Sequence, residues 1–195
     1  MKKLADLTQD EIGRLYPVEI SPYDVQWPAL FGAEQQRIAA ALGPGSLRIE
    51  HFGSTAVPGL PAKDTLDLLV ELPSGADQPA ECIARMQDIG YEFMWQKDGN
   101  PPYLVFVKGY DPAQPKTQTY HVHMAPREHA LWDRLYFRDY LRQYPAVAQE
   151  YAQLKQALAA QHRHARVAYR IAKTDFVTRV TSEAKAQWVA GELQG

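Results

Sequence analysis

A single cysteine, Cys82, stands among 195 residues. The chain therefore holds no intramolecular disulfide and no thiolate metal cluster. Its setting, ECIARM, is that of a buried helical residue rather than a nucleophile. No apolar run approaches the length of a membrane span, and the opening MKKLADLTQDEIGRL has no apolar leader core. A soluble, cytoplasmic protein with no membrane partner is expected. Excess charge is missing too: 21 Lys and Arg against 23 Asp and Glu leave a net of −2. That balance argues against a protein that coats nucleic acid, whose surface is strongly basic. GxxxxGK[ST] is absent, so no P-loop kinase site is encoded. Internal repeats and low-complexity tracts are absent as well.

What is present is globular: 46% hydrophobic and 23% charged residues, in a length that suits one domain with a substantial interior. The charges are unevenly spread. Residues 1–126 carry 10 basic and 16 acidic side chains, net −6, and residues 127–195 carry 11 and 7, net +4. An acidic half that holds a cation against a basic half that holds phosphate is one use of this split; two complementary solvated surfaces is the other.

Periodicity divides the chain into a mixed α+β core and a helical tail, which we treat as regions 1–126 and 127–195 of one unit. Residues 4–16 read as a short amphipathic helix, and SPYDVQWP as an extended, proline-broken segment. Pro28 opens a helix with Phe31, Gln35, Ile38 and Leu42 in its stripe, closing at Gly43-Pro44-Gly45. SLRIEHF (46–52) alternates as a strand, with Leu47, Ile49 and His51 on one side and Arg48, Glu50 and Phe52 on the other. Leu66–Leu72 is a second strand with Asp67, Leu69 and Glu71 on one face. A helix follows at 78–89. YEFMWQK and YLVFVKG form a hairpin across DGNPP, and TYHVHMA (119–125) is a last strand placing His121 and His123 together. Helices are expected over 128–143, 145–162 and 165–190, behind a largely antiparallel mixed sheet.

The chemistry concentrates in HFGSTAVPGLPAKDTLDLLVEL, residues 51–72. Gly53 and Ser54 end a strand, where loop N–H groups and a hydroxyl can meet phosphate oxygens, with Thr55 beside them. Asp67 returns on the next strand and can hold a magnesium ion that neutralises those phosphates; simple solvation on a polar sheet face is the plainer role. Asp64 and Glu71 are candidate second carboxylates. Lys63 stands where its ammonium reaches a phosphate, or else water. His121 and His123 can bind a transition metal or phosphate, act as a base, or be satisfied by neighbouring carbonyls. Arg134, Arg138 and Arg142 form one basic stripe; Arg166, Arg170 and Lys173 form another, fit for phosphate or simply solvated. Arg138, beside Asp139 and between apolar residues, also suits a structural salt bridge. Tyr23 and Trp27 suit either a base-stacking platform or a lid packed on the core.

Several segments occur in an order that resembles the GrpB family: SPYDVQWPALF, RIEHFGSTAVPGLPAKDTLDLLV, HVHM, LYFRDYLRQYP, YAQLKQALA, and the region of Tyr169, Lys173 and Phe176. The resemblance runs from about residue 18 to about residue 180, with GSTAVPGL and FRDYLR its most specific parts. It implies a nucleotidyltransferase (polymerase-β-like) core, with magnesium–nucleotide chemistry as the inherited possibility; some members are fused to dephospho-CoA kinase. Gly53 and Ser54 would be the phosphate-side loop and Asp67 a metal carboxylate. The chain departs from the active superfamily pattern, which has Asp-x-Asp on the second strand, because Leu69 takes the second place. Where a third carboxylate belongs on a later strand, His121 and His123 stand instead.

Three readings follow. The first is a Mg²⁺-dependent nucleotidyltransferase moving a nucleotidyl group from a nucleoside triphosphate to a small-molecule or protein acceptor. Asp67, with Asp64 or Glu71, would hold the ion; Gly53, Ser54, Thr55, Lys63, Arg138 and Lys173 would hold phosphate; His121 or His123 would serve as base or phosphate contact. The second is a non-catalytic module binding a nucleotide or CoA-like ligand. The third is a metal-dependent phosphohydrolase using His51, Asp67, His121 and His123.

Overall fold

The computed structural model describes residues 4–43, 47–72, 79–97, 103–111 and 117–192. The ends expected at Pro44 and Gly45, Ser46 of the first strand, the start of the third helix at residue 78 and the DGNPP connection lie outside the described residues. Among those described, five strands form one sheet: β1 (Ile49–Phe52), β2 (Thr65–Glu71), β3 (Glu92–Lys97), β4 (Tyr103–Lys108) and β5 (Thr119–Ala125). Their spatial order is β1-β2-β5-β4-β3. Every pairing is antiparallel except β2 with β5, which is parallel. The α+β architecture and the mixed, mostly antiparallel sheet agree with the periodicity.

Alternation gives the sheet two unlike faces. On one, which we call the core face, Ile49, Leu66, Leu68, Val70, Leu104, Phe106, Val122 and Met124 form one apolar cluster with Ile38 and Leu42 of α2 (Trp27–Leu42) and with Cys82 and Met86 of α3 (Pro79–Asp88). Cys82 is buried, as its setting indicates. On the other, the site face, stand Phe52, Asp67, Leu69, His121 and His123.

The site face is bracketed by two apolar clusters. Phe52 and Leu69 pack with Trp132 and Leu135 at one end. Val107 packs with Leu4, Tyr16 and Tyr110 at the other. The helices α4 (Arg134–Gln143), α5 (Pro145–Gln161), α6 (Arg166–Ala172) and α7 (Thr174–Glu192) complete this side. Phe137, Tyr140, Leu141 and Tyr151 carry them onto Val57 and Leu60 of the loop after β1.

Three helical expectations need correction. Residues 4–16 are not one helix: a 3-10 turn at Leu4–Asp6 precedes α1 (Gln9–Leu15), because Thr8 caps α1 in a reciprocal box with Glu11. The helix expected from residue 128 begins as a 3-10 turn, Ala130–Asp133, capped by the His129 ring, and α4 starts only at Arg134. The helix expected over 165–190 is broken at Lys173 into α6 and α7. Neither Pro nor Gly marks that break; it places the Lys173 ammonium 4.5 Å above the Tyr169 ring.

Candidate functional site: a cationic hollow on the polar sheet face

The loop that leaves β1 is shaped by Asp67. Phe52 and Asp67 are register partners, and Gly53 follows at φ +74°, a left-handed conformation that favours glycine. A Cβ there would lie 2.3 Å from Asp67 Oδ2, so only glycine allows the loop to close over the carboxylate. Ser54 begins a 3-10 turn, Ser54–Ala56. Its hydroxyl neighbours the phenol of Tyr151 on α5.

The parallel register of β2 and β5 sets His121 beside Asp67. Nδ1 of His121 is 3.6 Å from Asp67 Oδ1, beyond hydrogen-bond reach. Its Nε2 lies 2.6 Å from the Tyr110 hydroxyl, to which Arg166 Nη2 points from 3.4 Å. Asp67 and His121 are walled by protein, yet their side chains keep 29% and 27% of their surface open to solvent. They thus line a concave hollow rather than a sealed core. Burial holds both imidazoles neutral. For His121 the Lys63 ammonium adds to this; for His123, lowered to about 4, the guanidinium groups of Arg134 and Arg170 do.

Around Asp67 the charge is overwhelmingly positive. Lys63 is lowered by burial first, and then by Arg166 and Lys173, with Asp67 opposing. Lys155, lowered to about 7, is 1% exposed and feels both Lys173 and Lys63. It donates to the Pro61 carbonyl and sits 4.9 Å over the Tyr151 ring. Lys173 is lowered to about 8 by burial, offset by Asp67 and reinforced by Arg134 and Arg170. Asp67 itself is raised by burial, while Lys63, Lys173 and Arg134 pull it back. Several amines driven together at the cost of their own protonation favour an anion that relieves their repulsion.

The expected site residues therefore separate. Gly53, Ser54, Lys63, Asp67, His121 and Lys173 gather in the hollow, with His123 two positions further along β5. Thr55 is spent on structure: its hydroxyl donates to the Thr65 carbonyl and accepts from His51 Nε2–H. Arg138 is buried, bonded to Glu50, to the His51 carbonyl and twice to Asp139, so its fork staples α4 to β1. Arg142 donates to the Ala56 carbonyl. Asp64 accepts from the Trp27 indole at 3.0 Å, and Glu71 stands four residues beyond Asp67, about 13 Å along the strand. Trp27 is buried and Tyr23 packs edge-on against it at 5.2 Å, so both belong to the core covering.

His51 lies on the core face, stacked on Phe31 at 4.8 Å. It is thus across the sheet from Asp67, and the phosphohydrolase constellation does not assemble. Leu69, in the place of a second aspartate, is fully buried among Phe52, Trp132 and Leu135. Among the described residues no three His, Cys, Asp or Glu side chains group to hold a metal ion. A resident magnesium cluster does not fit this donor set.

Lys155 carried no signal as an isolated lysine on a helix. One was available: it follows Tyr151 by four residues, on the apolar side of α5. Tyr110 and Tyr151 likewise enter only through the fold.

The sequence model of the GrpB protein family matches residues 17–183. The chain belongs to the GrpB family. A UPF0157 protein of Pseudomonas aeruginosa is 42% identical over 170 residues, 87% of this chain and 68% of that protein. YqkA of Bacillus subtilis, also a UPF0157 protein, is 35% identical over 181 residues, 91% of this chain, which spans 50% of YqkA. The crystal structure of conserved protein GrpB from Enterococcus faecalis superposes with a TM-score of 0.75 at 32% identity, over 87% of this chain and 99% of that one. A dephospho-CoA kinase of Mycolicibacterium paratuberculosis is 38% identical over 81 residues, 39% of this GrpB-family chain and 20% of the kinase. Among the described residues no helix is long and apolar enough to cross a membrane.

Proposed function

We propose that the hollow binds the polyphosphate of a nucleotide or CoA-like ligand. The observation that carries this reading is the crowding of Lys63 and Lys173 around Asp67, with Lys155 close to both: Lys63 and Lys173 share the Tyr169 ring at 5.9 and 4.5 Å, and burial lowers all three amines, with Lys173 adding to it at Lys63 and at Lys155. Ser54 and Arg166 supply further donors at the same place. Such a set binds phosphate oxygens through charge-assisted hydrogen bonds. It also explains why a buried lysine persists on α5: with an anion present, the repulsion becomes attraction.

The test is calorimetry with tripolyphosphate, ATP and CoA, with and without Mg²⁺. Binding that persists in EDTA, and that falls about tenfold or more in Lys173→Ala, is expected. No saturable binding by any of the three would sink the proposal.

A second reading, Mg²⁺-dependent nucleotidyl transfer to a small-molecule or protein acceptor, is favoured by the placement of Asp67 against the Gly53–Ser54 loop. On that reading a nucleotide supplies most of the ligands of its own cation, and Asp67 adds one carboxylate. Pyrophosphate release from ATP, lost in Asp67→Asn, would select it over binding alone.

A further inference from the structure

Asp67 and His121 face each other without bonding. Oδ2 of Asp67 lies toward the Gly53 loop, and Oδ1 lies 3.6 Å from Nδ1 of His121. That gap is too wide for a direct bond, yet one oxygen can sit about 2.8 Å from both atoms. Nδ1 and the two carboxylate oxygens have no hydrogen-bond partner among the described residues, and they are not sealed. Among those residues, the shielded and unpartnered side-chain atoms are the Tyr16 hydroxyl and Nδ1 of His123 only. The Asp67–His121 pair is thus a solvent-open corner in a hollow otherwise walled by donors.

The hydroxyls behind His121 decide which of these atoms can give a proton. Thr119 Oγ1 donates to the Asp64 carbonyl at 2.9 Å. Its single proton is spent there, so the 2.8 Å contact between Thr119 and Thr65 is donated by the Thr65 hydroxyl. The Tyr110 phenol neighbours both hydroxyls and can only donate to them. Its oxygen then accepts from Nε2–H of His121 at 2.6 Å and from Arg166 Nη2 at 3.4 Å. This assignment satisfies every member of the network and fixes the tautomer: Nε2 carries the proton, and Nδ1 turns a lone pair toward Asp67. Two acceptors that face one another call for a proton donor between them.

We propose that this corner holds the attacking O–H group of a nucleotidyl-transfer step, with Nδ1 of His121 as the base that takes its proton and Tyr110 as the positioning residue that keeps Nδ1 bare. This rests on the transfer reading above and names its acceptor as a hydroxyl, from an alcohol or from water. The O–H proton passes to Nδ1, the oxygen forms a bond to the α-phosphorus, and the bond from that phosphorus to the bridging oxygen of the β-phosphate breaks. Pyrophosphate leaves with the electron pair, held by Lys63 and Lys173, and the imidazolium returns its proton to solvent. An ammonium acceptor is repelled by these amines and by Arg134, and a carboxylate acceptor brings no proton to two groups that both accept.

Incubation with ATP and a small-molecule cell extract in oxygen-18 water, with products read by mass spectrometry, tests it. Pyrophosphate should appear, with AMP carrying oxygen-18 if water attacks, or with an AMP ester free of it if an alcohol does. AMP joined through nitrogen or through a carboxylate overturns the hydroxyl assignment and leaves transfer standing. ATP bound without pyrophosphate release overturns both and leaves the phosphate reading. His121→Gln should lower kcat about a hundredfold or more, and Tyr110→Phe about tenfold, with KM for ATP within about twofold in each. Nitrogen-15 NMR of the His121 ring should show the Nε2–H tautomer in the free protein and a mixture in Tyr110→Phe; an Nδ1–H tautomer in the unaltered protein overturns the base. Should the variants unfold, product linkage and tautomer in the unaltered protein still decide.

Discussion

The core face and the site face are made by the same strands, yet they obey opposite rules. Along β2, Leu66, Leu68 and Val70 have no solvent exposure, while Asp67 between them opens into a hollow crowded with amines. On β5, Val122 and Met124 are sealed and the intervening His121 and His123 are not fully covered. The core face stabilises the fold through apolar burial alone. The site face holds like charges together in a partly desolvated space, an arrangement that costs stability until something negative enters. On the proposed reading, fold strength and ligand affinity fall on opposite sides of one layer, and changes on the two sides should have separable consequences.

The largest separation should come from Phe106→Ala on the core face. Truncating this fully buried ring should cost about 3–5 kcal/mol, read by denaturant unfolding, with polyphosphate affinity of the remaining folded protein unchanged. Next is Gly53→Ala, where a Cβ meets Asp67 Oδ2 at positive φ; a loss of about 1–3 kcal/mol is expected, together with weakened ligand binding, because the loop and the carboxylate move as one. Lys155→Met should do the reverse of Phe106→Ala. Relieving the buried charge should stabilise the free protein by about 1 kcal/mol, a Tm rise of roughly 2–4 °C, while polyphosphate binding is lost. A lowered Tm with binding intact would erase the contrast between the faces.

The smallest effect is in pH. Lys155 and Lys173 have folded pKa values of about 7 and about 8, below the ordinary 10.5. Between those values and 10.5 the unfolded chain binds more protons than the native one, so these groups make stability rise with pH across that window. Their contribution is complete above 10.5 and is lost as pH falls through 8 and 7. Melting curves from pH 6.5 to 9 should show the rise, and Lys155→Met should flatten it. A bound anion raises both pKa values again, so at pH 8 binding should take up protons, visible as a buffer-dependent calorimetric enthalpy.

Much of the core face was legible because strict alternation is a strong signal: the residues of β2 and β5 declare both their strand character and their inward side. The loop at Gly53 and the carboxylate at Asp67 were legible for the same reason, since two adjoining strands fix where their ends meet. The helical wall was less so. The break at Lys173 has no Gly or Pro to signal it, and the ammonium it sets over the Tyr169 ring appears only in the folded chain. Lys155 is easily passed over because a lysine on a helix ordinarily faces water, and its one signal is its place four residues after Tyr151. Arg138 and Thr55 have the right chemistry for phosphate, but their donors are consumed by Glu50, Asp139 and backbone carbonyls that only the folded chain brings near. Composition reveals which groups can bind; the spare valence is a property of the assembled structure.

The parallel pairing of β2 with β5 has a kinetic corollary. Thr65 and Thr119, hydroxyl to hydroxyl across that seam at 2.8 Å, are 54 residues apart in the chain, and Lys155 reaches Pro61 over 94. Closing such distant segments carries a large entropic toll before any contact repays it, so topologies of this kind reach the native state slowly. The β3–β4 hairpin and the isolated helices can form early from neighbours alone. During refolding, the capacity to hold an anion should consequently emerge in the final, slowest phase, and a rapidly added polyphosphate would report the completion of the architecture rather than its beginning.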